Sequence, residues 1–288
     1  MRKWYKYLLV KKSNINVNHE RDQNFFDHEK KSMVGDYNEN EYYKNKRLFL
    51  EKYLVGRYKL YTTFVRKHLS KKEKILSLRS GRCIFELPLL NDGYNITCSD
   101  LKIPGCYEAS KKIFCNYKYI KLNILEDNLD QKFNSVICIS IVFLFTKKEL
   151  EIFFGKIYNL LESGGFLIID PGGSKDNLFS LIYDKIYLPV ESYFIFLLSK
   201  LFGRQYVLFK KHHGYRFTDN EFTKLAKENG FDLLQMNEGD YQQELYRSKL
   251  LSFLKRKFLI SRHIFEILGR PIPFVRIFKF KKKNEKNI

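Results

Sequence analysis

The sequence predicts an α/β fold built on a mostly parallel sheet that is buried on both faces. From about residue 71 onward, short apolar runs alternate with longer segments of helical periodicity. Strands that alternate with helices are joined by crossover connections, which make neighbouring strands parallel. The crossover helices then cover both faces of the sheet. The 288 residues are 44% hydrophobic, which is enough for such a core and excludes a wholly disordered chain.

The chain before the sheet predicts an arm followed by a helix. Residues 1–35 are polar and lack a clear period, so we expect an arm or a partly ordered cap there. Apolar residues recur at helical spacing over about residues 40–69, and Ser70 with the lysine-rich segment after it ends this helix.

The central segment predicts four strands. The first covers 75–78 and leads through a turn at Arg79–Arg82 into a helix over 83–90. Asn91, Asp92 and Gly93 form the next turn. Further apolar runs predict strands over 94–99, 117–122 and 136–139.

The C-terminal half predicts two more helices and three more strands. A helix over 147–161 precedes Gly164 and Gly165, which we interpret as its left-handed end. A fifth strand covers 166–169. Thr218 then caps a helix over 219–229 and Gly230 ends it. A sixth strand begins at residue 231, and an alternating pattern over 274–280 predicts the seventh.

The chain is strongly basic, with 52 Lys and Arg against 32 Asp and Glu and a formal net charge of +20. This charge predicts attraction to an acidic partner: nucleic acid, a phosphorylated metabolite or an anionic membrane surface. The alternative is a composition rich in Lys, Asn, Ile, Phe and Tyr, as an AT-rich genome encodes. The five cysteines form neither a CxxC pair nor a Cys/His ligand spacing, so we expect neither a disulfide framework nor a bound metal.

The location expected from the sequence is the cytoplasm. The basic N-terminus has only a short apolar stretch with no small-residue cleavage site after it, which does not fit a signal peptide. The chain also lacks an uninterrupted run of about 18 apolar residues, so a membrane-spanning helix is not expected.

The carboxyl ends of the strands are where an open parallel sheet binds its ligands. Gly81 follows the first strand and permits close approach of a ligand to the backbone. Asp100 ends the second strand about twenty residues later, where a carboxylate can accept hydrogen bonds from a ribose diol. The residues predicted to line one nucleoside-shaped slot are Leu78, Ser80, Gly81, Asp100, Leu101, Asn123, Ile124 and Ser140.

The order of these features resembles the class I S-adenosylmethionine-dependent methyltransferases. The resemblance covers about residues 74–280. It rests on the turn around Gly81, on Asp100, on the Leu-x-x-Gly-Gly-x-Leu-Ile-Ile signature at 161–169, on Arg-Phe-Thr at 216–218 followed by Gly-Phe at 230–231, and on the last strand. It implies a Rossmann-like fold, a seven-stranded sheet with an antiparallel last strand, and S-adenosyl-L-methionine as the cofactor.

The first motif of the family is only partly present. Of its three usual glycines Gly81 remains, whereas Arg79 and Cys83 stand at the other two positions. Ser77, Asn123 and Asn134 stand where acidic residues are usual. An asparagine can still donate to and accept from the edge of an adenine.

An insert over about 174–213 predicts a lid or a substrate-selecting element, because it is longer than a plain crossover loop. The segment from Ser192 to Thr218, which overlaps the insert, contains no acid, and its residues Arg204, Lys211 and Arg216 are candidate ligands for an anionic acceptor. The alternative is a solvated basic face over an apolar helix. His212 and His213 are candidate general bases for a hydroxyl acceptor, since imidazole titrates near neutral pH.

A basic amphipathic stretch over 249–268 either lies on an anionic membrane or packs on the sheet with its charges in water. Peripheral contact with the inner membrane face therefore stays open, and the oligomeric state is not predicted.

We divide the chain into an arm and helix over 1–70, a methyltransferase-like domain over 71–282 and a basic tail over 283–288.

Three functions fit the sequence. We favour a methyltransferase that O-methylates a small or glycan-linked acceptor, which an anionic group would suit. An RNA methyltransferase is favoured by the net charge, but no RNP-type aromatic motif, zinc knuckle or Asn-Pro-Pro-Tyr motif accompanies it. The third is a degenerate, non-catalytic partner protein, suggested by Arg79, Cys83 and Asn123.

Overall fold

A computed structural model describes most of the sheet and its covering helices. The described residues are 52–113, 115–139, 141–142, 145–171, 217–238 and 276–283, together with 190, 193, 194, 197, 200, 201 and 203. The candidate bases His212 and His213 lie outside this part of the chain. So do the candidate acceptor ligands Arg204, Lys211 and Arg216, and the amphipathic stretch over 249–268.

The described elements follow the predicted order. The helices are α1 (Lys52–His68), α2 (Glu86–Asn91), α3 (Tyr107–Ile113), α4 (Lys147–Leu160) and α5 (Asp219–Glu228). The strands are β1 (Ile75–Leu78), β2 (Ile96–Asp100), β3 (Lys118–Lys121), β4 (Phe133–Cys138), β5 (Leu161–Ile169), β6 (Phe231–Glu238) and β7 (Arg276–Lys282). Helix α3 was not predicted from the sequence.

The strands form one seven-stranded sheet in the order β3-β2-β1-β4-β5-β7-β6. Strands β1 to β5 pair in parallel, whereas β7 runs antiparallel to both β5 and β6. This confirms the predicted α/β fold and its antiparallel last strand. The strand order reverses between β1 and β4, which opens a crevice at their carboxyl ends.

Two hydrophobic cores cover the two faces of the sheet. Leu76 and Leu78 of β1 contribute to the core under α4 and α5, whereas Ile75 contributes to the core under α1. Successive side chains of a strand point to opposite faces, so one buried strand feeds both cores. Helix α1 adds Tyr61, Phe64, Val65 and Leu69 to the second core, so it packs as part of the sheet's covering layer.

Several predicted bounds differ from the structure. Strands β2, β4, β5 and β7 were predicted over 94–99, 136–139, 166–169 and 274–280, and all four have other bounds. Two helix ends differ for clear physical reasons. The helix expected to start at residue 83 starts at Glu86, because Cys83 has a φ of +57° and a right-handed helix cannot include it. Helix α4 ends at Leu160, and Leu161 is already extended. The glycine pair predicted to end the helix instead lies inside β5, where the register against β4 shifts between Phe133 and Ser135.

The two confirmed helix starts have a shared chemical cause. The side chains of Thr146 and Thr218 each accept a hydrogen bond from the backbone N–H of a glutamate three residues later, and the carboxylate of that glutamate accepts one from the backbone N–H of the threonine. This capping box satisfies backbone N–H groups that would lack partners at a helix start. Within the described residues, no helix is long and apolar enough to cross a membrane.

Gly230, which ends α5, should not tolerate a side chain. Its φ is +86°, and a Cβ there would lie 2.6 Å from Cε2 of the Tyr158 ring. We expect Gly230→Ala to lower the free energy of unfolding by about 2 kcal/mol or more. The matched control is Gly155→Ala within α4, where a Cβ meets no atom within 4 Å. Helix propensity predicts a gain there of up to about 1 kcal/mol. Equal effects in urea unfolding would contradict this packing.

Candidate functional site

The candidate site lies at the carboxyl ends of β1, β2 and β3, beside the crevice between β1 and β4. The segment that joins β1 to α2, residues 79–85, is called the β1–α2 loop below. One backbone hydrogen bond to strand β2 and one within the loop hold its conformation. The Ser80 N–H donates to the Ser99 carbonyl over 2.8 Å, and the Cys83 N–H donates to the Ser80 carbonyl over 2.7 Å.

The backbone of this loop is left-handed at every second residue. The φ angles are +57° at Arg79, +51° at Gly81 and +57° at Cys83. Each non-glycine residue in this region costs about 1 kcal/mol because its Cβ approaches the following carbonyl. These are the three positions at which the methyltransferase motif has glycine. The loop therefore has a glycine-type conformation although two of the three positions carry other residues.

Burial and hydrogen bonds explain how the loop holds this conformation. The Cys83 side chain is fully buried against Cys98 in the core under α1. The Ser80 hydroxyl donates to the Ser77 carbonyl over 3.1 Å and accepts from the Ser99 N–H over 3.3 Å. The Tyr119 hydroxyl donates to the Gly81 carbonyl over 3.0 Å. Strands β2 and β3 thus fix the loop through Ser99 and Tyr119.

Asp100 ties the end of β2 to the loop. Its Oδ2 accepts from the Gly81 N–H over 3.0 Å and its Oδ1 accepts from the Leu101 N–H over 2.7 Å. Burial raises the pKa of Asp100, while these two N–H groups and the Arg79 guanidinium act in the opposite direction. Each carboxylate oxygen has two lone pairs, so Asp100 retains acceptor capacity for a ligand.

Asn123 lies at the next strand end. The Leu122 N–H donates to the Asp100 carbonyl over 2.9 Å, which places the residue after β3 beside the residue that ends β2. The Asn123 N–H donates to Asp127 over 2.7 Å, and its Oδ1 accepts from the Leu125 N–H over 3.3 Å. The side chain is half-buried. Its NH₂ group supplies the donor that an adenine ring nitrogen requires.

The predicted slot residues fall into three groups. Gly81, Asp100, Leu101 and Asn123 share one sheet edge and are partly exposed. Leu78, Ser80 and Ile124 are buried below them, and the Ser80 hydroxyl serves the loop itself. Ser140 and the candidate acceptor and base residues lie outside the described part of the chain: Arg204, Lys211, His212, His213 and Arg216. The assignment of all these residues to ligands remains a prediction.

Sequence reasoning missed Glu86, a fully buried carboxyl behind the loop. The Ser77 hydroxyl donates to its Oε1 over 2.6 Å. Burial raises the pKa of Glu86 to about 7, and the bond from Ser77 opposes this shift. Ser77 occupies the motif position where an acid is usual, so the structure provides a carboxyl here from the following helix. The sequence signal was an acidic residue in the first turn of an otherwise apolar helix.

Arg79 brings a positive charge to the same edge of the sheet. The charge of the guanidinium acts to lower the pKa of the Asp100 carboxyl and the pKa of the Cys138 thiol at the end of β4. Burial raises the pKa of Cys138 well above its usual value, Asp170 adds to this shift, and Arg79 opposes it. Arg79 therefore lies within electrostatic reach of two strand ends, one on each side of β1.

Helix α1 reaches the end of β5. The Tyr61 hydroxyl donates to Oδ2 of Asp170, and both side chains are fully buried. The Asp170 N–H donates to the Cys138 carbonyl over 3.0 Å, so this pair lies beside the end of β4. The described residues contain no group of three side chains suited to hold a metal ion.

The residues at this edge fit a nucleoside with an attached amino acid. Asp100 has acceptor capacity for a diol, Asn123 carries both a donor and an acceptor, and Arg79 supplies a positive charge. A Cβ on Gly81 would meet Oδ2 of Asp100 at an ordinary contact distance of 4.0 Å, so glycine is favoured there by its φ of +51° and not by close packing.

Solved structures share this fold over nearly the whole chain. A Burkholderia thailandensis 1,6-didemethyltoxoflavin-N1-methyltransferase, solved with its substrate and S-adenosylhomocysteine, is 11% identical with a TM-score of 0.54, over 96% of this chain and 94% of that one. A magnesium protoporphyrin IX methyltransferase from Synechocystis PCC 6803 is 13% identical with a TM-score of 0.51, over 88% and 92%. The N-methyltransferase NodS from Bradyrhizobium japonicum is 8% identical with a TM-score of 0.50, over 88% and 96%.

The chain therefore has the fold of the class I S-adenosylmethionine-dependent methyltransferases. No protein-family model matches the sequence. A search of curated proteins finds no match either. The likeness is one of structure. At a sequence identity of 8–13%, it establishes the fold and nothing further.

Proposed function

We propose that this protein is an S-adenosylmethionine-dependent methyltransferase. The observation that carries the proposal is the β1–α2 loop, which is left-handed at positions 79, 81 and 83 and is bonded to Asp100. Two of these positions bear side chains that disfavour this backbone. A chain with no use for the loop conformation would be expected to relax it. Structures with the same fold contain S-adenosylhomocysteine, which supports the choice of cofactor.

Each residue of the slot has a distinct part in this proposal. Asp100 would accept hydrogen bonds from the ribose hydroxyls and Asn123 would contact the adenine edge. Arg79 would pair with the carboxylate of the amino-acid portion. The cofactor, when bound, supplies a methyl group on a sulfonium centre, which an oxygen or nitrogen nucleophile can accept.

Replacement of Arg79 distinguishes a slot that binds the cofactor from a non-catalytic slot that the Arg79 side chain blocks. We expect Arg79→Gly to weaken S-adenosylhomocysteine binding about tenfold, because one charge-assisted contact is lost. The binding of 5′-methylthioadenosine, which lacks the amino-acid carboxylate, should change less than about twofold. Calorimetric titration of both ligands into both proteins measures this difference. Tighter binding of S-adenosylhomocysteine by the variant would show that Arg79 fills the slot, as the non-catalytic alternative requires.

The acceptor that we propose is a small or glycan-linked hydroxyl compound with an anionic group. The sequence supports this by the acid-free segment from Ser192 to Thr218, which carries Arg204, Lys211 and Arg216. His212 and His213 in the same segment are the proposed general bases. A base that removes the hydroxyl proton as the methyl group transfers contributes about 10²–10⁴ in rate.

Replacement of both histidines tests the proposed base. We expect His212→Ala/His213→Ala to lower turnover at least about 100-fold once an acceptor is found by screening. The affinity for S-adenosylhomocysteine should stay unchanged, since neither histidine belongs to the predicted slot. The pH profile of the residual activity should also lose its limb near neutral pH. Unchanged turnover would remove the histidines from the mechanism.

A further inference from the structure

A helix in the insert exposes an apolar face. Val190, Tyr193, Phe194, Leu197 and Leu201 are all helical, and they are 63%, 59%, 61%, 41% and 79% exposed. At about 100° per residue these positions fall within an arc of about 100° on one side of the helix. We call these five residues the apolar face and the helix the insert helix. Folded proteins rarely expose a contiguous patch of large apolar side chains unless something binds to it.

The charge around the apolar face is positive. Lys200 is exposed and lies at the edge of the arc. No aspartate or glutamate occurs from Ser192 to Thr218, whereas five lysines and arginines do, and the whole chain carries +20. Basic residues beside an exposed apolar face are complementary to an anionic lipid surface.

The described end of the insert helix and its aromatic residues suit a position at a membrane surface. The Gly203 N–H donates to the Lys200 carbonyl over 3.3 Å and Gly203 has a φ of +64°, features of a helix end. Tyr193 and Phe194 are aromatic, and aromatic side chains favour the interface between headgroups and acyl chains.

We propose that the insert helix docks this protein on an anionic membrane surface. The apolar face enters the boundary between headgroups and acyl chains, and Lys200 contacts the lipid phosphates. A second copy of the chain is the other obvious occupant, but two molecules of +20 charge repel each other. This proposal is independent of the cofactor and of methyl transfer.

Co-sedimentation with vesicles tests the proposal. The full-length protein should bind vesicles of equal parts phosphatidylcholine and phosphatidylglycerol and should not bind vesicles of phosphatidylcholine alone. The triple variant Phe194→Ser/Leu197→Ser/Leu201→Ser should bind at least about tenfold more weakly. A matched control, Ile103→Ser/Ile152→Ser, removes exposed apolar side chains elsewhere, 50% and 43% exposed, and should bind as the wild type does. Thermal unfolding confirms that each variant is folded.

Two matched charge-reversal variants and a tryptophan fluorescence reporter make the test specific to this helix. Lys200→Glu should weaken binding to the anionic vesicles several-fold, whereas Lys148→Glu on the exposed side of α4 should have little effect. The chain has a single tryptophan, Trp4. In Trp4→Phe/Phe194→Trp, the emission should shift to the blue when anionic vesicles are added. That shift reports burial of position 194 directly.

Three outcomes would overturn the proposal. The first is no binding to anionic vesicles. The second is equal binding by the triple variant, or binding without a fluorescence shift at position 194, since the contact would then lie elsewhere. The third is a lipid-free dimer in sedimentation velocity that the triple variant disperses, which would assign the apolar face to a second copy of the chain.

Discussion

Replacement of Asp100 by alanine should weaken the binding of S-adenosylhomocysteine at least about 100-fold. Each hydrogen bond from a ribose hydroxyl to a carboxylate contributes about 1.5–3 kcal/mol, and the variant loses both. It also removes the acceptor for the Gly81 and Leu101 N–H groups, which bond to Asp100 over 3.0 and 2.7 Å. The loop should therefore loosen, and we expect a fall of about 1–3 kcal/mol in the free energy of unfolding.

Two further variants separate the ligand contact from the support of the loop. Asp100→Asn keeps one acceptor oxygen and the shape of the side chain, so it should retain most of the stability while affinity still falls about tenfold. Asp130→Asn changes an exposed acid near β3 and β4 and should affect neither quantity. Titration calorimetry and urea unfolding measure the two quantities. If Asp100→Ala binds the ligand as the wild type does, Asp100 has no place in the slot.

The second large effect concerns the pH dependence of stability. Burial raises the pKa of Glu86 to about 7, against 4.5 for an ordinary glutamate. The folded protein thus binds a proton more tightly than the unfolded chain does. The stabilisation is complete below about pH 4.5, decreases as the pH rises, and is lost above about pH 7. The total contribution is about 3 kcal/mol.

Glu86→Gln should remove this pH dependence, because the amide does not titrate in this range. Between about pH 5 and pH 8, the free energy of unfolding of the wild type should fall by about 2–3 kcal/mol more than that of the variant. The Asp100 carboxyl faces the same region, but it is present in both proteins and its contribution cancels. Glu126→Gln, an exposed acid, serves as the control. Parallel pH profiles for wild type and Glu86→Gln would contradict the buried position of this carboxyl.

Local sequence signals predicted most elements of the fold. Strand β1 was predicted with its observed bounds, and Thr218 marked the start of α5 because a capping box depends only on neighbouring residues. The predicted end of α4 and the predicted start of α2 were wrong for tertiary reasons. Pairing with β4 makes Leu161 extended, and Gly164, with a φ of +72°, lies in the irregular part of β5. Burial holds Cys83 in a left-handed conformation that its side chain disfavours.

The candidate site could be predicted only in part. The sequence placed Gly81 and Asp100 after neighbouring strands, at one edge of the sheet. The 3.0 Å hydrogen bond that joins them was not predicted. The pairing of Ser77 with Glu86 and of Tyr61 with Asp170 depends on how helices pack over the sheet. No spacing in the sequence specifies such contacts. Nor does the sequence show that the loop stays left-handed at two non-glycine positions.

The most direct test of the central claim is titration of S-adenosylhomocysteine into the wild-type protein at physiological salt, with ATP as the comparison ligand. S-adenosylhomocysteine is a zwitterion in its amino-acid portion, whereas ATP is a polyanion that a protein of +20 charge attracts without a specific slot. We expect micromolar binding of S-adenosylhomocysteine that changes little with salt, and weaker, strongly salt-dependent binding of ATP. No binding of S-adenosylhomocysteine, or binding weaker than that of ATP, would contradict the proposed cofactor slot.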